Sequence, residues 1–501
     1  MSLVRTRCLL LLVDGLRPDV AEASLAAGAL PHCAAMLRQG GRTRAITVFP
    51  STTSVAYLPF LTGCTPGRCN IPSIRWLDRN AYAGRWWKER AAVRSYCGYQ
   101  APLLDGDIAP EVRTIFQLEP GSIGIFTPIA RGLPGPRDPS RGARRFWGAL
   151  AHFAQWHQPS DDAATRHLLR AVDGPARFVF AQFPAVDGYA HQSTPDSALV
   201  HRALRKVDNT LGRVRDRLRE RGELESTLLL VVSDHGASPV HTHVDLADWF
   251  RARGIPTLSH PVLWERDPRA AVMVAGNGSA MVYARPGVPR PHRWPIERLR
   301  RADAFGSDPN LLQRLVDEPA IALIGAESAD GGVWVGNETG GARLSRTGPT
   351  ISYQPLDGDP LGLGRPVTAS DREWLENTWD APFPDAAYHL LDQFRARRTG
   401  DLVVIAHEGY DLRARFEVPE HRAGHGSLVR AHMQTPVWSN HPVPLGPLRT
   451  VDLFPAVADW LGIPMPAGID GAASWLPRSR RPLTRARVSS SPAPLVRSPV
   501  G

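Results

Sequence analysis

"RCLLLLVDG", residues 7–15, is a short apolar run, Cys8 to Val13, that stops on an acid and a glycine. A run of this length without polar alternation predicts a strand buried on both faces, as the strands of parallel α/β sheets are. It is shorter than the ~20 residues of a membrane helix and lacks the charged, apolar and cleavage regions of a signal peptide. Three further segments repeat the pattern: "RFVFAQFPAVDG" (177–188) runs towards Asp187, "STLLLVVSDHG" (226–236) ends at Asp234 and His235, and "GDLVVIAHEG" (400–409) ends at His407 and Glu408. With helical stretches between them, the four predict parallel strands of one open sheet, whose ligand site lies beyond the carboxyl ends of the strands. These acids and histidines are therefore expected to converge.

Residues 196–222 show apolar spacing of three and four, an acidic start and a glycine stop, which predicts an amphipathic helix. "PDAAYHLLDQFRARRTG" (384–400) and "TVDLFPAVADWLGI" (450–463) predict two more. Pro-, Gly- and Arg-rich stretches at 133–145, 286–296 and 355–367 are expected as loops, and insertions are placed at about 72–170 and 240–400, as caps over the site. Residues 1–475 are expected to form one catalytic domain.

The chain has 501 residues, 43% of them hydrophobic, enough for a large core. Its formal charge of +10 is concentrated at the end: the last 26 residues carry six arginines and no acid. This basic tail, 476–501, is expected to be disordered and solvated. Lys88 and Lys206 are the only lysines, so the positive charge is almost all arginine. Five cysteines, an odd number in a long chain, argue against a disulfide framework and for a reducing compartment. The expectation is a cytoplasmic protein with no transmembrane segment and no specific nucleic-acid or protein partner.

Asp14, Asp187, His191, Asp234, His235 and His425 supply three carboxylates and three imidazoles, the donor set of zinc and its neighbours, and divide naturally into two sites. Two divalent ions about 3.5–4 Å apart can clamp an in-line displacement, and an alcohol coordinated there needs no separate general base. Residues 48–70, "VFPSTTSVAYLPFLTGCTPGRCN", offer that alcohol as Thr53. They also offer a rival in Cys64, since "CTPGR" spells the C-x-P-x-R signature at which sulfatases oxidise a cysteine.

The order of "VDGLRPD", "PSTTSVAYLPFLTG", "DGYAH", "SDHG", "GHGS" and "TVDLFPAVADWLGIP" resembles the alkaline phosphatase superfamily, and within it the type I phosphodiesterase/nucleotide pyrophosphatase branch. The resemblance spans residues 10–463. It implies a three-layer α/β sandwich with a mostly parallel central sheet flanked by helices, plus cap-like insertions. It also implies that Asp14, Thr53, Asp234 and His235 surround one zinc ion and Asp187, His191 and His425 the other, with Thr53 as nucleophile. Thr53 stands nine residues before Thr62, the family's spacing from nucleophile to Thr-Gly. Sulfatases keep that Thr-Gly after their cysteine, whereas here it precedes Cys64, so the sulfatase signature is read as chance.

The branch carries a phosphate-binding asparagine 21 residues after its nucleophile, and that position here is Ile74. Asn70, Ser73 or Arg75 are the candidate replacements, Arg75 through bidentate phosphate binding; in the bland alternative Arg75 and Arg79 pair with Asp78. His241 and His243, just past the second metal motif, are open between contact with substrate or the metal shell and ordinary loop histidines; His421, Glu408 and Asp411 could line the pocket but are read as structural, and Arg131 lacks the Lys-x-Arg pattern of the phosphomonoesterases. The expected activity is two-metal hydrolysis of phosphoric esters, preferably phosphodiesters, through a phosphothreonine. The alternatives are a phosphomonoesterase, phosphonate hydrolase or phosphomutase on the same metals, then a sulfatase, then an inert binding protein.

Overall fold

Every residue of the first apolar run is buried, and it forms strand β1, Arg7–Val13. The computed structural model describes residues 6–84 and 92–472, apart from positions 263, 289, 291, 307 and 416; the tail at 476–501 lies outside the described residues. Six strands join β1 in one sheet: β2 (Gly41–Ile46), β3 (Ile123–Ile125), β4 (Phe178–Phe183), β5 (Thr227–Val232), β6 (Gln434–Ser439) and β7 (Leu448–Arg449). Their order is β7-β2-β6-β5-β1-β4-β3. The sheet is mostly parallel, only β6 running antiparallel to both its neighbours.

The alternation of β1 side chains builds two cores at once. Cys8, Leu10 and Leu12 join the core shared with helices Leu58–Thr62 and Leu453–Leu461. Leu9, Leu11 and Val13 join the core under helices Gln158–Asp173 and Ala198–Glu220. The result is a three-layer α/β sandwich. Helix Ala198–Glu220 is the one predicted at 196–222; Ser197 caps it by accepting from the Val200 N–H, and Val200, Leu204, Val207, Leu211, Val214 and Leu218 form its buried stripe.

One strand departs from expectation. Leu402–Ala406, the fourth apolar run, is no member of the parallel set; it pairs antiparallel with Ser279–Ala284 and Ile321–Glu327 in a second, nine-stranded sheet. The cause is burial on both faces: alternate residues of this strand enter two different cores, so its sequence looks the same as that of a central parallel strand. His407, half-buried, and Glu408, exposed, follow it and belong to neither group of ligands that gathers Asp14, Asp187, Asp234 and the three predicted histidines. The stretch 240–400 supplies all the other strands of this second sheet. Within 72–170, Ile123–Ile125 forms the edge of the first sheet and Gln158–Asp173 covers it.

The two sheets meet along a seam of hydrogen bonds to main-chain carbonyls. Gly278 N–H donates to His425 O (2.8 Å), His425 N–H to Gly276 O (3.1 Å), Ser51 Oγ to Ser427 O (2.9 Å) and Ser427 Oγ to Ala406 O (2.8 Å). Among the described residues no single helix is long and apolar enough to cross a membrane.

Candidate metal centre

Parallel register brings the strand ends level: Val13 of β1 lies opposite Phe183 of β4, and Leu12 opposite Val232 of β5. Asp14 therefore emerges beside Asp234 and His235, and all three are buried. Their ligand atoms group within 4.8 Å, with His235 Nε2 at 3.5 Å from Asp14 Oδ1 and 3.2 Å from Asp234 Oδ2. Gly15 follows with φ +68, and a Cβ there would lie 2.7 Å from Asp187 Oδ1. Glycine at this position both makes the turn and admits the second group of ligands.

Asp187 and His191 lie not on a strand but on helix Ala185–Gln192, where a spacing of four puts them on one face. His191 Nε2 is 3.2 Å from Asp187 Oδ2, and His425 Nε2, arriving from the seam, is 4.0 Å from Asp187 Oδ1. The sequence-predicted ligands thus fall into two triads. The triads touch, since the rings of His235 and His425 stack at 3.8 Å and 15°.

Thr53 sits in the turn before a short helical stretch, Val55–Tyr57 and Leu58–Thr62, that ends on Gly63 in the left-handed region. Its Oγ1 lies 3.1 Å from His235 Nε2 and 3.3 Å from Asp14 Oδ1. Cys64 lies past the other end of that helical stretch, buried, with its Sγ directed at Thr62 O (3.6 Å).

Two observations show that these residues fit divalent ions. The first is the histidine tautomer, fixed by hydrogen bonds to atoms that can only accept: Nδ1 donates to Gly236 O from His235 (3.0 Å), to Ala423 O from His191 (2.6 Å) and to Ser51 O from His425 (2.9 Å). In neutral rings all three Nε2 lone pairs then face carboxylates, an arrangement that a cation between them resolves. The second is that Asp187 Oδ1 and Asp234 Oδ2 are buried and accept no hydrogen bond.

The electrostatics tell the same story. Burial, then the neighbouring carboxylates of Asp234 and Asp187, hold Asp14 well above the usual carboxylate range. Burial and Asp187 push Asp234 up to about 8. Burial would also raise Asp187, but His191, His425 and His235 outweigh it and hold Asp187 low. Burial pulls His191 down, yet Asp187 and the Ala423 carbonyl carry it to about 9, while burial and His235 push His425 well below its usual value. Positive charge is what this cluster lacks.

Sequence reasoning missed the groups that aim the ligands. Tyr57 Oη and Gln182 Nε2 both donate to Asp14 Oδ2, at 3.0 and 2.6 Å. Gln182 had a signal: it is the one polar residue within the buried run of β4.

The substrate-side candidates scatter. Asn70 caps helix Pro66–Cys69 in the left-handed conformation and its carbonyl accepts from Arg398; Ser73 is buried, and its Oγ accepts from Arg75 N–H. Arg75 donates to Val274 O (3.1 Å) and lines a narrow cavity with His260, Arg413, Arg415 and Asp245. Neither Arg75 nor Arg79 pairs with Asp78, whose Oδ1 caps the Asn80 and Ala81 N–H groups; Arg79 faces Asp401 at 3.9 Å. Arg131 spends its guanidinium on the carbonyls of Asp105, Ile108, Ala109 and Val112, which fixes it as a loop brace.

A profile of type I phosphodiesterases/nucleotide pyrophosphatases matches residues 8–290, more than half of the chain. No curated protein matches. Among solved structures, murine ectonucleotide pyrophosphatase/phosphodiesterase 5, an inactive variant in complex with AMP, superimposes with a TM-score of 0.55 at 14% identity, covering 93% of this chain and 98% of that one. Phosphonoacetate hydrolase from Sinorhizobium meliloti 1021, in complex with phosphonoformate, gives 0.54 at 14% identity, over 90% and 94% of the respective chains.

Proposed function

The chain belongs to the type I phosphodiesterase/nucleotide pyrophosphatase family of the alkaline phosphatase superfamily, and from that premise we propose that it is a phosphoric ester hydrolase using Thr53 as nucleophile. The observation that carries this reading is the position of Thr53 Oγ1, within 3.3 Å of ligand atoms from two strand ends. Asp14, Asp234 and His235 would hold one divalent ion beside Thr53; Asp187, His191 and His425 would hold the other. The mixed carboxylate and imidazole donors favour Zn2+. When bound, such ions supply Lewis-acid charge for the attacking and leaving oxygens.

Thr53 Oγ1 forms the new bond to phosphorus and the ester oxygen leaves, giving a phosphothreonine that water then opens. Tyr57 and Gln182 hold Asp14 in place throughout, and Gly15 keeps the two triads close. Phosphodiesters are the favoured substrates. Thr53→Ala is expected to abolish hydrolysis of an aryl phosphodiester while retaining the bound metal, and acid-quenched wild type is expected to carry phosphate on the Thr53 peptide; wild-type turnover in Thr53→Ala would end the proposal.

A second reading, a phosphomonoester or phosphonate substrate, is favoured by one feature: Ile74 replaces the branch's asparagine, and the next residue, Arg75, borders a cavity with Arg413 and Arg415. Aryl phosphate mono- and diesters assayed side by side separate the two. The buried thiol of Cys64 supports neither reading, and Cys64→Ser is expected to keep full activity. A cytoplasmic setting is part of this proposal and rests on the odd number of cysteines in the sequence.

A further inference from the structure

Strand Ser238–His243 pairs on one side with Gly409–Asp411, where His243 lies opposite Asp411, and on the other with Ala423–Gly424, the residues just before His425. This small sheet holds His243 and Asp411 together, and the loop leaving Asp411 returns Glu417 to them. His243 Nδ1 is 2.8 Å from Asp411 Oδ2 and 3.5 Å from Glu417 Oε2. Those separations resemble the 3.2–3.5 Å spacings of the Asp14, Asp234, His235 triad.

Three features set this cluster apart from a surface ion pair. The Asp411 side chain is fully buried and that of Glu417 is 4% exposed. Glu417 Oε2 faces His243 and has no hydrogen-bond partner. On the opposite edge of the His243 ring, Nε2 lies 3.1 Å from Oε1 of the exposed Glu420, so that with an ion in place of the Nδ1–Asp411 hydrogen bond (2.8 Å) the proton on Nε2 keeps an acceptor. A carboxylate behind an imidazole that faces further carboxylates is the arrangement that orients metal-bound histidines.

We propose that His243, Asp411 and Glu417 form a third divalent-cation site, separate from the two triads around Thr53. One imidazole and two carboxylates suit Zn2+ or Mn2+. His243 keeps 19% of its side chain exposed, which gives the ion an entry from solvent. The site is tied to the catalytic pair through Glu417, whose Oε1 accepts from Asn277 Nδ2 and lies 3.1 Å from His421 Nδ1. The His421 ring stacks on His191 at 4.1 Å, and Asn277 bridges to His425. An ion on Glu417 thereby braces the wall behind two of the catalytic ligands.

The test is metal counting on the full-length chain, stripped with chelator, reloaded with Zn2+ or Mn2+ by equilibrium dialysis and measured by plasma mass spectrometry. Wild type is expected to bind three ions per chain, and His243→Gln and Asp411→Asn two each, with circular dichroism of the stripped variants matching stripped wild type. Thr53→Ala is expected to keep all three. A wild-type plateau at two ions overturns the proposal, as do folded variants that keep the wild-type count or that lose the catalytic pair together with the third ion. If one variant fails to fold, the other supplies the count; if both fail, the wild-type plateau decides.

Discussion

The rings of His235 and His425 lie stacked, 3.8 Å apart, although one follows β5 and the other arrives from the seam between the sheets, and each belongs to a different triad. The two ligand sets therefore share a wall. His425→Ala is expected to remove one ion outright and to weaken the remaining one about tenfold, by freeing the His235 ring, on the scale of losing a group that orients a ligand. Stepwise Zn2+ titration by calorimetry reads both effects; an unchanged affinity at the surviving site would show that the stack carries no coupling.

Asp14 is held by two donors on the same oxygen, Tyr57 Oη and Gln182 Nε2. Replacing either, as Tyr57→Phe or Gln182→Leu, is expected to lower metal affinity or turnover by about 10–100-fold while leaving Thr53 intact. Competition with a chromogenic chelator measures the first and steady-state kinetics the second. Variants that match wild type in both would reduce these residues to packing.

The stripped protein should lose stability as the solution becomes more alkaline. Asp234 titrates at about 8 when folded, and an unfolded Asp at about 3.9, so between these values the native state holds a proton the unfolded chain lacks. His191, raised to about 9 from an unfolded value of about 6.5, contributes stability that is complete below 6.5 and gone above 9. Both act in one direction between pH 7 and 9. The melting temperature of chelator-treated protein is expected to fall across that window while the metal-loaded form stays flatter, because an ion replaces those protons. A stripped protein that gains stability from pH 7 to 9 would contradict the assignment of charge.

Gly63 ends the helical stretch that begins beside Thr53, with φ +69 and room for no side chain: an added Cβ would lie 2.8 Å from Phe454. Gly63→Ala is expected to cost about 1–3 kcal/mol from the strained backbone and the overpacked contact. Chemical denaturation measures it, and a change under ~0.5 kcal/mol would mean that helix Leu453–Leu461 yields easily.

The sequence made some of this legible and hid the rest for identifiable reasons. Short apolar runs ending in acids revealed β1 and β5, since a strand buried on both faces has no polar residue until it leaves the sheet. The same property misplaced Leu402–Ala406, because double burial looks alike in a parallel and an antiparallel sheet. Asp187 and His191 were legible through "DGYAH", one of the motifs that carry the resemblance, but the apolar run before them was read as leading to Asp187 at a strand end, whereas a helix presents both. His243, Asp411 and Glu417 were not, because a strand pairing brings together segments far apart in the chain, and no local pattern records that pairing. Tyr57 and Gln182 were hidden inside apolar runs that read as core.

His425 is bonded to main chain on both sides of the seam: its ring donates to Ser51 O beyond β2, and its backbone exchanges hydrogen bonds with Gly276 and Gly278 of the second sheet. The position of its Nε2 is therefore set by both sheets at once. The second sheet reaches this point through Val274, whose carbonyl accepts from Arg75 at the rim of the arginine-bordered cavity. The border of that cavity and the main-chain partners of His425 thus rest on one stretch of backbone, Val274 to Gly278.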